Sequence, residues 1–133
     1  MAETFTNFLV RKTFNTSTSQ TIVPKANGTS VTDLQGTRVS GSTSQLHSIY
    51  ISCEHSTNST TPESDAVYVS LYINDSNNKN YYIGYNIPVL PNSSFYIEKT
   101  ITLLPQQSLN IEYTSLNKSS KTLNIITSGV DIY

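Results

Sequence analysis

Charged side chains are scarce in this chain: they make up 13% of its 133 residues, and the net charge is −1. Binding to nucleic-acid phosphates needs clustered lysine and arginine, whereas the eight basic residues here are scattered from Arg11 to Lys121. The chain also lacks a basic amphipathic segment of the kind that lies on membrane surfaces. The charge pattern therefore predicts that neither nucleic acid nor a membrane is a partner.

Cysteine is nearly absent as well, since Cys53 is the only one. A lone cysteine cannot form an intramolecular disulfide, which excludes a disulfide-stapled secreted domain. The N-terminal residues contain no basic region and no long apolar run, so we expect no signal peptide. No stretch approaches the roughly 18 apolar residues of a transmembrane helix. These absences favour a soluble protein that is made in a cytoplasm.

Helix signals are also missing, because no apolar stripe with a 3.6-residue period extends beyond two turns. Strand signals are frequent instead. The clearest alternation falls in 45–55 and 65–73, where one face is aliphatic and should point into a core: Ile49, Ile51, Cys53, Val67, Val69 and Leu71. Residues 74–79 are all turn formers, so we expect a hairpin between 65–73 and 81–89.

The remaining strand signals complete an all-β pattern. Asn, Ser and Thr contribute 51 of the 133 residues, and these residue types suit turns and solvated strands. Further strands are predicted at 5–13, 20–24, 94–97, 100–104, 109–113 and 122–132. Eight or nine short strands predict a single domain over 1–133, an antiparallel β-sandwich of jelly-roll or immunoglobulin-like kind.

Two segments depart from simple alternation. The apolar phase of the last strand slips between Leu123 and Val130, and Gly129 lies at the slip, so we predict a β-bulge there. The polar segment 27–44 contains three glycines. It predicts a long loop with one weak strand around Arg38.

One group of residues could suggest catalysis or a metal site: His47, Cys53 and His55 fall on the same side of a predicted strand. Cys53, however, shares the aliphatic core face, where a thiol behaves as a small hydrophobe. The spacing His-x₅-Cys-x-His matches no standard zinc site. We therefore expect no enzyme activity, and no catalytic, cofactor-binding or metal-binding residues.

The turn that begins at Asp75 slightly resembles a calcium loop through Asp75 and Asn77. It lacks the glycine and the terminal glutamate of such a loop, so it predicts a hairpin turn instead. The glycine-containing segment 36–41 lacks the lysine and the following helix of a phosphate-binding loop. No cofactor is expected from either segment.

Tyrosine is abundant, with nine residues and no tryptophan. Several tyrosines lie opposite the aliphatic core face or can face outward. Tyrosine is enriched in protein interfaces, although ordinary cross-strand pairing on a solvated sheet would also account for the pattern. Together with the chain ends, these positions give the predicted protein-interface residues: Phe5, Phe8, Tyr50, Tyr68, Tyr72, Tyr82, Tyr96 and Tyr133.

Three parts of the chain resemble the small β-sandwich virion proteins of tailed bacteriophages, notably phages of marine and freshwater cyanobacteria. The first is Asn-Phe-Leu-Val-Arg at 7–11. The second runs from the Asn-Tyr-Tyr-Ile of 80–83 through the Ile-Pro-Val-Leu-Pro-Asn-Ser-Ser of 87–94 and on to 101–111. The third is the closing strand, 124–132. The chain departs from the family pattern at Gln106 and Gln107, where a Gly-Asp turn is usual.

The resemblance implies a structural protein of a tailed-phage virion, either a capsid decoration (cement) protein or a neck or tail accessory protein. The implied partners are the major capsid protein or neck and tail subunits, and further copies of this chain in a trimer or higher ring. The implied location is the virion, after synthesis in the host cytoplasm. A competing interpretation is a carbohydrate- or receptor-binding module of a tail fibre, because exposed tyrosines and Asn-rich loops also suit sugar binding.

Overall fold

Nine β-strands form the regular secondary structure of the residues that the structure describes. The computed structural model describes residues 5–14, 19–26, 38, 40–55, 67–90, 93–115 and 121–133. The strands are β1 (Phe5–Phe14), β2 (Ser19–Val23), β3 (Thr43–His55), β4 (Val67–Asn74), β5 (Asn80–Val89), β6 (Ser93–Ile97), β7 (Ile101–Leu103), β8 (Ser108–Ser115) and β9 (Lys121–Ile132). Within these described residues, no helix is long and apolar enough to cross a membrane.

The strands pair into two antiparallel sheets. Sheet A has the order β1-β9-β3-β6, and β7 also pairs with β3. Sheet B has the order β2-β8-β4-β5. The predicted β4–β5 hairpin is present, and the predicted antiparallel β-sandwich is confirmed.

The strand order distinguishes between the two predicted kinds of sandwich. Each of the segments β1–β2, β3–β4, β5–β6 and β8–β9 places one strand in sheet A and the other in sheet B. Two Greek keys folded across two sheets in this way define a jelly roll. In an immunoglobulin-like sandwich, by contrast, the first two strands belong to one sheet. The domain is therefore a jelly roll.

The hydrophobic core lies between the sheets and follows the alternation of the strands. The six residues predicted to face inward from β3 and β4 are all buried there. Sheet A adds residues from β1, β7 and β9, and sheet B adds residues from β2, β5 and β8: Val10, Leu103, Leu123, Ile125, Ile22, Val23, Val89, Leu109, Ile111 and Tyr113. Packing the two sheets face to face buries apolar surface, and this burial is the main favourable term in folding.

A β-bulge is present next to Gly129, as predicted, but its extra residue lies in β3 and not in β9. Every second residue of β9 from Leu123 onward is buried, through Gly129 to Asp131, so its phase never slips. The apparent slip arose because a carboxylate, Asp131, occupies the last inward position while apolar residues occupy the outward ones. The bulge lies in the neighbouring strand β3, where the register with β9 shifts between Leu46 and Ser48.

The carboxylate of Asp131 is buried because it meets a buried cation. Arg38 is only 1% exposed, and its Nε lies 3.7 Å from Asp131 Oδ1. The Ser44 hydroxyl also donates a hydrogen bond to Asp131. Arg38 itself is not in a strand, and the rest of the weak strand predicted around it lies largely outside the described residues. Instead of marking a surface strand, this arginine reaches into the end of the sandwich.

The guanidinium of Arg38 joins three connections between strands. Its Nη1 and Nη2 donate to five backbone carbonyls: Pro24 (2.6 Å), Gln107 (2.7 Å), Leu104 (3.1 Å), Leu103 (3.2 Å) and Ser42 (3.4 Å). These carbonyls belong to the end of β2, the start of β3 and the turn between β7 and β8. Burial lowers the pKa of Arg38, and the Asp131 carboxylate offsets part of that shift.

Replacing Arg38 by methionine is expected to lower the free energy of unfolding by about 3–5 kcal/mol. The substitution keeps an unbranched apolar stem but leaves the Asp131 carboxylate buried without its cation. Urea denaturation monitored by circular dichroism measures the effect. The matched control is Arg11→Met, at an exposed position of β1, for which we expect a change within about 0.5 kcal/mol. An Arg38→Met protein as stable as the parent would show that this contact contributes nothing net.

Candidate functional site

The residues that could have suggested catalysis do not come together. Cys53 points into the core, whereas His47 is exposed on the outer face of sheet A. The prediction that they share one side of the strand is wrong, because the bulge in β3 inserts His47 as an extra residue and reverses the alternation beyond it. His55 ends β3, and its side chain lies outside the described residues. Of the two described side chains, Cys53 and His47 therefore lie apart.

The turn at Asp75 is occupied by its own backbone. The carboxylate Oδ1 accepts hydrogen bonds from the backbone N–H groups of Asn77 and Lys79, each at 2.9 Å. Asn78 takes a positive φ of 58°, a conformation that asparagine tolerates in tight turns. These bonds close the β4–β5 hairpin, and they lower the pKa of Asp75, with the Lys79 bond as the largest cause. In the described parts of the chain, no cluster of three or more His, Cys, Asp or Glu residues could hold a metal ion.

The outer face of sheet A carries a band of exposed apolar side chains. Ile126, Tyr50 and Tyr96 stand directly opposite one another on β9, β3 and β6, with exposed fractions of 42%, 43% and 56%. The two tyrosine rings lie with centroids 5.9 Å apart. Arg11 of β1 continues the same line next to Ile126. We call Ile126, Tyr50 and Tyr96 the apolar row.

The outer face of sheet B carries a depression instead of a row. Its floor is Ser70, a small residue in the middle of β4, and larger side chains stand around it. The depression has a volume of about 270 Å³ and a wall that is mostly aromatic. We call it the tyrosine depression, lined among the described residues by Tyr68, Ser70, Tyr82, Tyr85, Asn86, Glu112 and Tyr113.

A bulge in β5 shapes the tyrosine depression. Val69 pairs with Ile87 and Leu71 pairs with Gly84, so two residues of β5, Tyr85 and Asn86, stand opposite one residue of β4. The bulge is held by a 2.8 Å hydrogen bond from the Asn86 N–H to Ser70 Oγ, and Asn86 takes a φ of 51°. This local widening places the ring of Tyr85 beside the opening, where it is 72% exposed.

The rings around the depression contact each other. Tyr82 meets Tyr85 edge to face, with centroids 5.1 Å apart and planes at 89°, and Tyr72 at a 5.3 Å separation. Glu112 stands directly opposite Ser70 on β8 and hydrogen-bonds to Tyr82. Desolvation, and then the negative charge of Glu112, raise the pKa of Tyr82 above its ordinary value. Among its described lining residues, the depression has one acidic side chain, Glu112, and no basic one.

The predicted interface residues fall on two opposite faces. Tyr50 and Tyr96 lie on sheet A, where Phe5 is also exposed near the start of β1, and Tyr133 is exposed just after β9. Tyr68, Tyr72 and Tyr82 lie on sheet B, and Tyr72 is 9% exposed because Tyr82 covers it. Phe8 belongs to β1, but its side chain lies outside the described residues. One shared tyrosine face therefore does not exist.

Some residues of these surfaces were not predicted from the sequence. Ile126 looked like part of an apolar run in the last strand, and its outward position follows from the unbroken phase of β9. Glu112, Tyr85 and Asn86 join the tyrosine depression only through the pairing of β8 and β5 with β4. One available signal was Glu112 itself, a charged residue between Ile111 and Tyr113 in an otherwise uncharged strand.

Neither a protein-family model nor a curated protein sequence matches the chain. One similar solved structure is a protein of the disulfide-linked pili of Bacillus endospore appendages, with 12% sequence identity and a TM-score of 0.49. The match covers 98% of this chain and 89% of that one. Another is a chain of the cyanophage Pam1 capsid asymmetric unit, at 8% identity, 96% and 85% coverage and a TM-score of 0.47. A third comes from the acid-stable capsid of Helicobacter pylori bacteriophage KHP30, at 9% identity, 99% and 94% coverage and a TM-score of 0.47. At these values the similarity carries no argument about function, and the jelly-roll assignment rests on the strand pairing.

The Asp75 carboxyl is expected to titrate below the ordinary aspartate value of about 3.9. A lowered pKa in the folded state means that the carboxylate stabilises the fold above its unfolded pKa and loses that effect as pH falls through the folded pKa. Asp75→Ala should therefore lower the melting temperature at pH 7, and the gap should close near pH 2. Thermal scans of both proteins at the two pH values measure this. An equal gap at both would show that the carboxylate charge is irrelevant to the turn.

Cys53 is expected to resist thiol reagents in the folded protein. Its side chain is buried between the sheets, and a buried thiol is neither ionised nor accessible. Reaction with Ellman's reagent should be negligible in buffer and should reach one thiol per chain in strong denaturant. A native labelling rate close to that of free cysteine would contradict this burial and would reopen the question of a reactive cysteine.

Proposed function

We propose that the protein is a structural, non-enzymatic subunit of a virion that attaches to neighbouring subunits through the outer face of sheet A. In the finer form of the proposal it is a capsid decoration protein, or a neck or tail accessory protein, of a tailed bacteriophage. Its partners are then the major capsid protein or neck and tail subunits, with further copies of the chain completing a trimer or higher ring.

The apolar row is the observation that carries the proposal. Three large side chains on adjacent strands, Ile126, Tyr50 and Tyr96, are exposed in one continuous line. Single exposed apolar residues are ordinary, but contiguous ones mark surfaces that bind a partner. Tyrosine suits the centre of such a surface because its ring is apolar and its hydroxyl can stay hydrogen-bonded.

The choice of a virion as the assembly rests on the fold and on the sequence resemblance. Jelly rolls are a common architecture of viral capsid domains, although the fold alone does not fix a role. The resembling parts at 7–11 and 124–132 belong to β1 and β9, which pair in sheet A along their whole length. These two resembling parts therefore lie in two of the five strands of sheet A, the sheet whose outer face bears the apolar row.

The chemistry of this face favours attachment by apolar contact and hydrogen bonds. Charged residues make up only 13% of the chain, so long-range steering contributes little to the encounter. The edge strand β1 adds a second means of attachment, because one side of it carries no partner strand among the described residues. An extended segment of a neighbouring subunit can pair there by β-augmentation.

Mass spectrometry of purified virus particles tests the location. We expect the chain to be present, because an adhesive subunit stays bound through purification. A copy number in the hundreds assigns it to the capsid, and about a dozen copies or fewer assign it to the neck or tail. Its absence from intact particles would refute the virion proposal.

Variants of the apolar row test the attachment face. Ile126→Ser and Tyr96→Ser should each weaken binding to particles that lack the chain by about 1–2 kcal/mol, roughly tenfold, because each removes apolar area that docking buries. Sedimentation of the particles with added purified protein measures this. The matched control is Tyr81→Ser, a tyrosine of similar exposure on β5, which should bind like the parent. Equal loss in all three variants would mean that the apolar row is not the attachment face.

A further inference from the structure

The tyrosine depression lies on the opposite side of the sandwich from the apolar row, and attachment through sheet A leaves it open. Three tyrosine rings, Tyr68, Tyr82 and Tyr85, surround one carboxylate, Glu112, above a serine floor. Two features need an explanation beyond packing. The rings of Tyr82 and Tyr85 remain largely exposed, and the carboxylate is half-buried among aromatic side chains.

The charge of Glu112 is not balanced by a cation. Of the side chains described around the depression, none is basic, and the ion pair described in the chain is that of Arg38 at the end of the sandwich. Lys25 donates its Nζ to the backbone carbonyl of Asp75, and Lys79 stacks over the ring of Tyr81. Among the described residues, the half-buried Glu112 carboxylate therefore has neither of these lysines nor an arginine as an ion-pair partner.

The tyrosine rings would also attract a cation, in addition to the Glu112 carboxylate. The face of a tyrosine ring is the negative end of its quadrupole, and a cation within about 6 Å of the centroid is attracted to it. Tyr82 and Tyr85 stand at 89° to each other, so their faces form two walls of a corner. The pKa of Tyr82 is raised first by desolvation and only then by the charge of Glu112.

Two hydrogen-bonding side chains of the depression already have partners. Ser70 Oγ accepts the N–H of Asn86, and the Tyr82 hydroxyl bonds to Glu112. A neutral sugar needs several free donors and acceptors around its hydroxyls, and an anionic ligand would be repelled by Glu112. A cation with an apolar surface needs only the ring faces and one carboxylate, which are the groups that the site offers.

The geometry points to a binding site for one organic cation, an alkylammonium or guanidinium head group, held between the rings of Tyr82 and Tyr85 with Glu112 as its counter-ion. A volume of about 270 Å³ suits a single head group, since pockets for drug-sized ligands start near roughly 300 Å³. The head group can belong to a small quaternary amine or to an arginine or lysine side chain of another protein. This inference does not depend on the virion proposal, because it concerns the isolated chain and the other sheet.

Titration of the ¹⁵N-labelled full chain tests the site. The probes are tetramethylammonium chloride, N-acetyl-arginine methylamide and, as a neutral ligand, methyl glucoside, each raised to about 50 mM against an expected Kd on the order of 1–10 mM. We expect saturable shifts of the Ser70 and Asn86 amides with the two cations and none with the glucoside. The tighter of the two cations identifies the source, quaternary amine or basic side chain.

Three variants separate the roles of charge and rings. Glu112→Gln keeps the shape and should weaken cation binding about tenfold, because it removes the counter-ion. Tyr85→Ala removes one wall at an exposed position and should weaken binding roughly three- to tenfold. Tyr81→Ala, at an exposed tyrosine of β5 outside the depression, is the matched control and should bind like the parent. Amide spectra of the variants establish that each remains folded.

Two results would overturn the inference. The first is the lack of a saturable shift with either cation in a folded parent protein. The second is saturable glucoside binding that survives Glu112→Gln, which would make the depression a neutral-sugar site. Neither result bears on the apolar row, so failure here and failure of the virion proposal are distinguishable.

Discussion

The guanidinium of Arg38 holds one end of this sandwich together. Burying a cation is costly unless it is paired and hydrogen-bonded. Here five carbonyls accept hydrogen bonds from Nη1 and Nη2, and the Asp131 carboxylate supplies the opposite charge beside Nε, which itself makes no hydrogen bond to the described residues. The contacts join the end of β2, the start of β3 and the β7–β8 turn, segments that are distant in sequence. Small secreted domains often obtain such a tie from disulfides. This chain cannot form one internally, because its one cysteine, Cys53, has no second cysteine to pair with and lies in the core.

Most of the fold could be predicted because each strand buries one of its faces. Apolar and polar residues therefore alternate along its sequence. The inward faces of β3 and β4 were predicted residue by residue for this reason. The Arg38–Asp131 contact could not be, because its partners are 93 positions apart and Arg38 sits in a polar segment. Asp131 did affect the sequence pattern, because a carboxylate at an inward position of β9 made the apolar alternation look interrupted.

The surfaces were harder to predict than the core, because outward residues are assigned to a partner face only when the sheets are known. Tyr50 and Tyr68 both alternate with core residues, yet they end on opposite sides of the molecule. The remaining differences between the predicted and the observed surfaces are caused by β-bulges. One reverses the alternation at His47 and separates it from Cys53, and another, at Tyr85, opens the depression on sheet B. Both depend on strand register, which is set by non-local packing.

The bulge in β5 also affects how copies of this chain can be joined. β5 is the edge strand of sheet B, and a straight edge strand invites another chain to extend the sheet without limit. The extra residue at Tyr85–Asn86, with Asn86 at a positive φ, breaks the regular spacing of the free N–H and C=O groups along that edge. The β5 edge of sheet B is therefore a poorer template for a further strand than a regular edge strand would be.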